Sequence, residues 1–303
     1  MLLNGRRGGA RGLRELLTTG ELIVAPGAYD CLSARLIEAA GFRAVYMTGF
    51  GTAASYLGRP DVGLLGMTEM VDQARRIVQA VDVPVIADAD TGYGNAINVI
   101  RTVQAYENAG VAALHIEDQL SPKKCGHMEG KQLIPAAEMV EKIRAAVAAR
   151  SSPDFVIIAR TDARAVEGLD AAIDRARRYR EAGADLLFVE APESDRDIER
   201  VASALGDVPL LFNWAEGGKT PPMPLPRLRE LGFRIVIFPI GALLVAARAI
   251  RELMDTLVEH GTPAAAADRM VPFKDFIAFM GLGEVRALEQ RFASQTPPAP
   301  PAS

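Results

Sequence analysis

Eight short apolar runs recur along the chain, each closing on a polar or turn-forming residue: ELIVAP (21–26), AVYMTG (44–49), VPVIADAD (83–90), AALHIED (112–118), DFVIIART (154–161), DLLFVEAP (185–192), VPLLFNW (208–214) and RIVIFP (234–239). Near-continuous apolarity of this length suits strands buried on both faces, as in parallel sheets. Between the runs lie segments with helical spacing of apolar positions, such as CLSARLIEAAG, MTEMVDQARRIVQAV, NVIRTVQAYENAG and LDAAIDRARRYREAG. Several stop at Gly, a C-cap signature. Strict alternation implies parallel strands joined by right-handed crossovers, and eight such units over 22–261 predict a closed (β/α)8 TIM barrel. An open doubly wound sheet would want GxGxxG after its first strand, where this chain has APGAYD.

Past Gly261 the repeat stops. The expected organisation is a barrel over 1–261, a helical extension over 262–292 and a Pro-rich, disordered tail over 293–303. The extension carries Met270, Val271, Phe273, Phe276, Ile277, Phe279 and Met280, which would pack on the barrel or on a neighbouring subunit. With 34 Lys+Arg against 38 Asp+Glu the net charge is −4, which removes any bulk electrostatic case for nucleic acid or anionic membranes. Two cysteines make no disulfide framework, and no CxxC or Cys/His cluster offers a zinc site. The N-terminus lacks a signal-peptide apolar stretch, and the longest apolar run, 13 residues over 235–247, is too short to span a bilayer. A cytoplasmic protein with no membrane and no nucleic-acid partner is expected.

The strand ends of a TIM barrel carry its active site, and here they are unusually polar. The third ends Asp88-Ala-Asp90, the fourth His115-Ile-Glu117-Asp118, the fifth Arg160-Thr-Asp162, the sixth in Glu190 and the seventh in Asn213. One polar strand end is most often a helix cap or an ion pair; five around one mouth point to a ligand. Carboxylates crowded there would raise one another's pKa values, and a hard divalent cation relieves the conflict. Oxygen donors without a Cys/His set favour Mg2+, with Mn2+ as the alternative. The segment after the fourth run, DQLSPKKCGHMEGKQLIP, is long for a βα loop and holds Lys123, Lys124, Cys125, His127 and Lys131 between Gly126 and Gly130. A thiol flanked by Lys and His has a setting that lowers its pKa, and such a loop could close over an anionic substrate. Cys31, in a helical segment, is expected in the core. A Schiff-base aldolase is disfavoured because no strand ends in Lys, and a non-catalytic binding protein is disfavoured by the combined presence of the carboxylates, Arg160 and Cys125.

Pro122-Lys-Lys-Cys-Gly-His127 followed by Glu129-Gly-Lys131 resembles the signature of the isocitrate lyase/phosphoenolpyruvate mutase superfamily. The likeness extends to Ala25-Pro-Gly-Ala-Tyr-Asp30, Gly58-Arg-Pro-Asp61, Asp88-Ala-Asp90, Ala159-Arg-Thr-Asp162, Glu190-Ala-Pro192 and Asn213-Trp-Ala-Glu-Gly-Gly-Lys219. The short lyase branch (2-methylisocitrate lyase, 2,3-dimethylmalate lyase and oxaloacetate hydrolase types) is the nearest match. The resemblance implies a Mg-dependent carbon–carbon lyase cleaving a 2-hydroxy di- or tricarboxylate by retro-aldol chemistry; oxaloacetate hydrolase or phosphonomutase activity is the alternative. It implies metal ligation by Asp61, Asp88, Asp90 and Glu117, some through water. Cys125, Arg160, Tyr46 and His127 would be catalytic, and Thr48, Gly49, Lys123, Gly126, His115, Glu190 and Asn213 would bind the substrate. The base that takes the hydroxyl proton stays open among Tyr46, His115 and a metal-bound hydroxide. The family also implies a homotetramer with its last helix swapped between paired subunits.

Overall fold

The computed structural model describes residues 8–293; the Pro-rich tail from 294 onward lies outside the described residues. Eight strands, β1 (Ile23–Ala28), β2 (Val45–Met47), β3 (Val85–Asp88), β4 (Ala113–Glu117), β5 (Val156–Thr161), β6 (Leu186–Val189), β7 (Leu210–Asn213) and β8 (Phe233–Phe238), close into a barrel in sequence order. Every pairing is parallel, and β1 closes on β8 with Ile23 opposite Ile235. The helices are α1 (Ala10–Thr18), α2 (Cys31–Ala39), α3 (Gly49–Leu57), α4 (Met67–Ala80), α5 (Ala96–Asn108), α6 (Ala136–Ala149), α7 (Ala163–Val166), α8 (Leu169–Glu181), α9 (Asp195–Leu205), α10 (Leu225–Glu230), α11 (Gly241–His260), α12 (Phe273–Phe279) and α13 (Leu282–Phe292).

Two apolar layers hold the barrel. Ile23, Tyr46, Ile86, Val156, Ile158, Phe188, Leu211 and Ile235 fill its interior, and Leu13 of α1 is buried among them, with Leu16 and Leu17 packed alongside. The amphipathic α1 thus plugs the end of the barrel opposite the strand C-termini. The second layer lies between the strands and the surrounding helices, with Tyr106, Phe155, Tyr179, Phe212 and Phe233 as its bulkiest members.

Three helices, α1, α3 and the one-turn α7, have no counterpart in the sequence reading. The nine residues of α1 precede the first repeat, and α3 is a Gly- and Ala-rich stretch, GFGTAASYL, without a strong apolar stripe. Thr48 starts α3 by accepting from the Gly51 amide at 3.2 Å. Cys31 is also not in the core: it is the first residue of α2 and only half buried.

The chain divides into two compact units, with the division after residue 246, inside α11. The described part of the second unit, 247–293, holds the rest of α11, a 3-10 turn (Ala264–Arg269), α12 and α13, and exposes large apolar side chains including Ile250, Met254, Val258, Val271, Phe273 and Phe292. Among the described residues no helix is long and apolar enough to cross a membrane.

Candidate active site

The strand C-termini surround a cavity of about 240 Å3. Tyr46, Thr48, Asp61, Asp88, Lys123, Cys125, Gly126, His127, Arg160, Glu190 and Asn213 all line it. So do Phe50, next to Gly49, and Ala215 and Glu216, within the Asn213–Lys219 motif, as well as Met128, Pro239 and Ile240, which sequence reasoning did not single out. Pro239 ends the eighth apolar run, so the strand-end rule could have found it; Met128 offered no such signal.

Arg160 is the centre of the charged side. Its guanidinium forks onto Asp162, Nε to Oδ2 at 2.9 Å and Nη2 to Oδ1 at 3.2 Å, and also reaches Glu117 and Glu190 at 3.2 Å each. Burial alone would push the Asp162 carboxyl up, but Arg160 and Lys131 outweigh it and hold the pKa at about 2. Glu117 moves the other way: burial raises its carboxyl well above the ordinary range, against the pull of Arg160. Its Oε1 is buried without a hydrogen-bond partner.

The second cation is Lys123. Its ammonium lies 2.7 Å from both Asp61 Oδ1 and Asp90 Oδ1, so it is engaged by carboxylates rather than held free for a substrate. Asp90 has passed the end of β3 with φ 46°, a left-handed backbone, so the two-residue strand period no longer governs where it points. Burial raises the Asp90 carboxyl to about 6, with Lys123 pulling it down and Asp88 and Asp61 pushing it up. The Asp90 and Glu117 carboxyls are thus raised by burial first and by neighbouring carboxylates second, whereas His115, Lys123 and Arg160 outweigh burial at Asp88 and lower it. The sequence reading missed that a loop lysine supplies one of the compensating charges.

Among the described residues no three His, Cys, Asp or Glu side chains converge as a finished metal cage. The donor set still suits a hard divalent ion: four buried carboxylates, oxygen only, with one Glu117 oxygen unpartnered. Mg2+ in particular takes only one or two protein carboxylates and completes its shell with water and substrate oxygens.

Two expected substrate contacts are relocated. His115 is wholly buried and does not line the cavity. It stands behind Tyr46, with Nε2 2.8 Å from the Tyr46 hydroxyl, and burial lowers its pKa to about 4, keeping it neutral. The Thr48 amide already donates to the Ala28 carbonyl at 3.2 Å. The Gly49 and Phe50 amides lie in the first turn of α3, where helix amides have no intrahelical partner, and of the two residues Phe50 lines the cavity. A Cβ on Gly49 would overlap the Asp88 carboxylate, so glycine permits this close approach.

The loop after β4 is folded over the mouth. Gln119 and Leu133 bridge its two ends, Gln119 Nε2 donates to the Lys124 carbonyl at 2.8 Å, and the Cys125 amide donates to the Asp61 carbonyl at 3.0 Å. His127 Nδ1 accepts from the Lys219 amide at 3.1 Å while Nε2 lies 3.3 Å from Glu190. Asn213 Nδ2 donates to the same carboxylate at 3.1 Å. The Cys125 thiol is not activated as its Lys and His neighbours suggested. Lys123 and His127 are turned to Asp61, Asp90 and Glu190, and burial pushes the thiol up to about 11.

A parallel barrel whose mouth combines buried carboxylates, an ion-paired arginine and a closed loop bearing a protonated thiol has the build of an enzyme acting on a small anion. Residues 13–258 match the phosphoenolpyruvate phosphomutase family. The chain is 50% identical over 285 residues to 2,3-dimethylmalate lyase of Eubacterium barkeri, covering 94% of this chain and 98% of that protein. It is 45% identical over 269 residues to 2-methylisocitrate lyase of Aeropyrum pernix, with 89% and 86% covered. Among solved structures, oxaloacetate acetylhydrolase in complex with 3,3-difluorooxalacetate superposes with TM-score 0.91 at 40% identity, covering 97% of this chain and 100% of that one. Phosphonopyruvate hydrolase in complex with oxalate and Mg2+ does so with TM-score 0.86 at 34% identity, covering 95% and 100%. The chain belongs to the phosphoenolpyruvate mutase/isocitrate lyase superfamily.

Proposed function

We propose that the protein is a divalent-metal-dependent carbon–carbon lyase that cleaves a 2-hydroxy dicarboxylate of the 2,3-dimethylmalate type, or a 2-methylisocitrate-type tricarboxylate, into a 2-oxo acid and a second carboxylate. The observation that carries this reading is Cys125, a thiol held protonated by burial in the same cavity as Arg160 and Asp88. The 50% identity to a dimethylmalate lyase points the same way. Asp88, with Asp61, Asp90 and Glu117, would hold Mg2+ or Mn2+, which supplies Lewis-acid stabilisation of charge on the substrate's 2-oxygen. The Gly49 and Phe50 amides hold a substrate carboxylate at the start of α3. Arg160 donates to the oxygen on which charge develops as the C2–C3 bond breaks. Burial raises the Tyr46 hydroxyl well above its ordinary value, so Tyr46 acts as a hydrogen-bond donor and not as the base, with His115 fixing its oxygen from behind. The 2-hydroxyl proton passes to neutral His115 through the Tyr46 hydroxyl that it contacts, the electron pair of the broken C2–C3 bond stays on C3, and Cys125 gives its proton to that carbon as general acid. Lys123 neutralises the carboxylate cluster, Gly126 lets the loop approach, and His127, Glu190 and Asn213 form a hydrogen-bonded wall at the far side of the substrate.

The fit to oxaloacetate acetylhydrolase supports a second reading, cleavage of oxaloacetate by water in the same site. The test is a panel of 2,3-dimethylmalate, 2-methylisocitrate, isocitrate and oxaloacetate with Mg2+, read by product NMR. Pyruvate with propionate, or pyruvate with succinate, supports the lyase; oxalate with acetate supports the hydrolase; no cleavage of any member overturns both. We further propose that the apolar faces exposed on 247–293 are covered in a homotetramer. A monomer in sedimentation at micromolar concentration would overturn that.

A further inference from the structure

Lys131 ends the loop that carries Cys125, yet it does not line the cavity, and nothing in the chemistry above calls on it. It is nevertheless buried, and its ammonium has one partner on the loop and one just past β5. It donates to the Gly126 carbonyl, one residue from the thiol, and lies 3.2 Å from Asp162 Oδ1. Asp162 is the carboxylate onto which Arg160 forks. Gly126 in turn lies flat on Arg160 and on Glu190, another of its carboxylate partners: a Cβ there would overlap Arg160 Nη2 and the Glu190 side chain. We infer that Lys131 is a positioning residue for the reaction, the latch that fastens the Cys125 loop to the end of β5 so that thiol and guanidinium are set by one ion-paired unit.

The physical case rests on what removing the ammonium leaves behind. The Gly126 carbonyl would lose its donor and Asp162 Oδ1 would keep only Arg160 Nη2, and a buried acceptor without a partner favours any conformation that lets water reach it. On this loop that conformation is the undocked one. Other ties lie on both sides of Cys125: Lys123 to Asp61 and Asp90 and the Gln119–Lys124 pair before it, and His127 to Glu190 and the Lys219 amide after it. The Lys131 contacts hold its C-terminal side to β5.

The inference builds on the catalytic reading of the cavity, but its primary test does not use turnover. Alkylation of Cys125 by iodoacetamide, resolved from Cys31 by peptide mass spectrometry, reports how often the loop undocks. Lys131→Met is expected to speed Cys125 alkylation on the order of tenfold or more while Cys31 keeps its rate. Lys131→Arg, which retains charge and donors, is expected to recover most of the wild-type protection, whereas a lysine that only stabilised the fold would change both thiols alike. On the substrate the panel identifies, kcat should fall about 10- to 100-fold in Lys131→Met with a much smaller change in KM. Wild-type alkylation of Cys125 in Lys131→Met overturns the latch; if that variant does not fold, Lys131→Gln is read by the same criterion. A wild-type protein inactive on the whole panel would overturn the lyase reading and leave the alkylation result standing by itself.

Discussion

The two sides of the cavity are built on opposite principles. The side formed by the ends of β3, β4 and β5 is crowded with charge, and nearly all of it is spoken for internally: Arg160 by Asp162, Glu117 and Glu190, and Lys123 by Asp61 and Asp90. The side formed by the ends of β7 and β8 sets the apolar Ala215, Pro239 and Ile240, with the Phe50 side chain, beside the polar Asn213 and Glu216. The comparison teaches a division of labour. Charges locked in ion pairs cannot reorganise during the reaction, which suits them to stabilising a developing oxyanion. An apolar wall contributes no such stabilisation, but it rejects a charged substituent and accepts an alkyl one.

Breaking the charged side should have the largest effects. Asp88→Ala, or chelation with EDTA, is expected to lower turnover by at least about 10³-fold with the barrel still folded by circular dichroism. Full activity in excess chelator would show that no metal takes part. Cys125→Ser is expected to cost ~10²–10⁴-fold in kcat and leave the Mg2+ dependence unchanged. The raised thiol also has a pH signature: alkylation of Cys125 should keep accelerating towards pH 11, where an ordinary thiol levels off near pH 9.

Asp162→Asn tests the ion-paired unit through stability. It leaves Arg160 and Lys131 short of a buried partner and should cost about 3–5 kcal/mol in denaturant unfolding. The native pKa of about 2 lies below the ~3.9 of an unfolded Asp. The Asp162 contribution is therefore fully present above about pH 4 and is lost as pH falls through 2, so the variant should lose less stability than wild type over that window. The smallest change belongs to the apolar side. Ile240→Ala should reduce the preference for a 3-methyl over an unmethylated substrate by about tenfold in kcat/KM, the value of one well-packed methyl group. An unchanged ratio would remove Ile240 from substrate selection.

Much of this molecule is legible in its sequence because the relevant signals are local. Each strand announces itself as a short apolar run, and its polar last residue falls at the barrel's C-terminal rim by topology alone. That is how Asp88, Glu117, Arg160, Glu190 and Asn213 could be assembled before any coordinates. Helices α1 and α3 escaped because one lies outside the repeat and the other is built from Gly, Ala and Thr, whose placement rests on packing and a Thr48 cap. What only the tertiary structure decided is how the charges pair. Neighbouring Lys and His predicted a lowered Cys125 pKa, yet Lys123 finds Asp61 across 62 positions and His127 finds Glu190 across 63. The thiol is left to burial, which raises it. Strand and helix follow from neighbours along the chain, whereas the protonation state of a buried group follows from whatever charges and water the fold brings within a few ångströms.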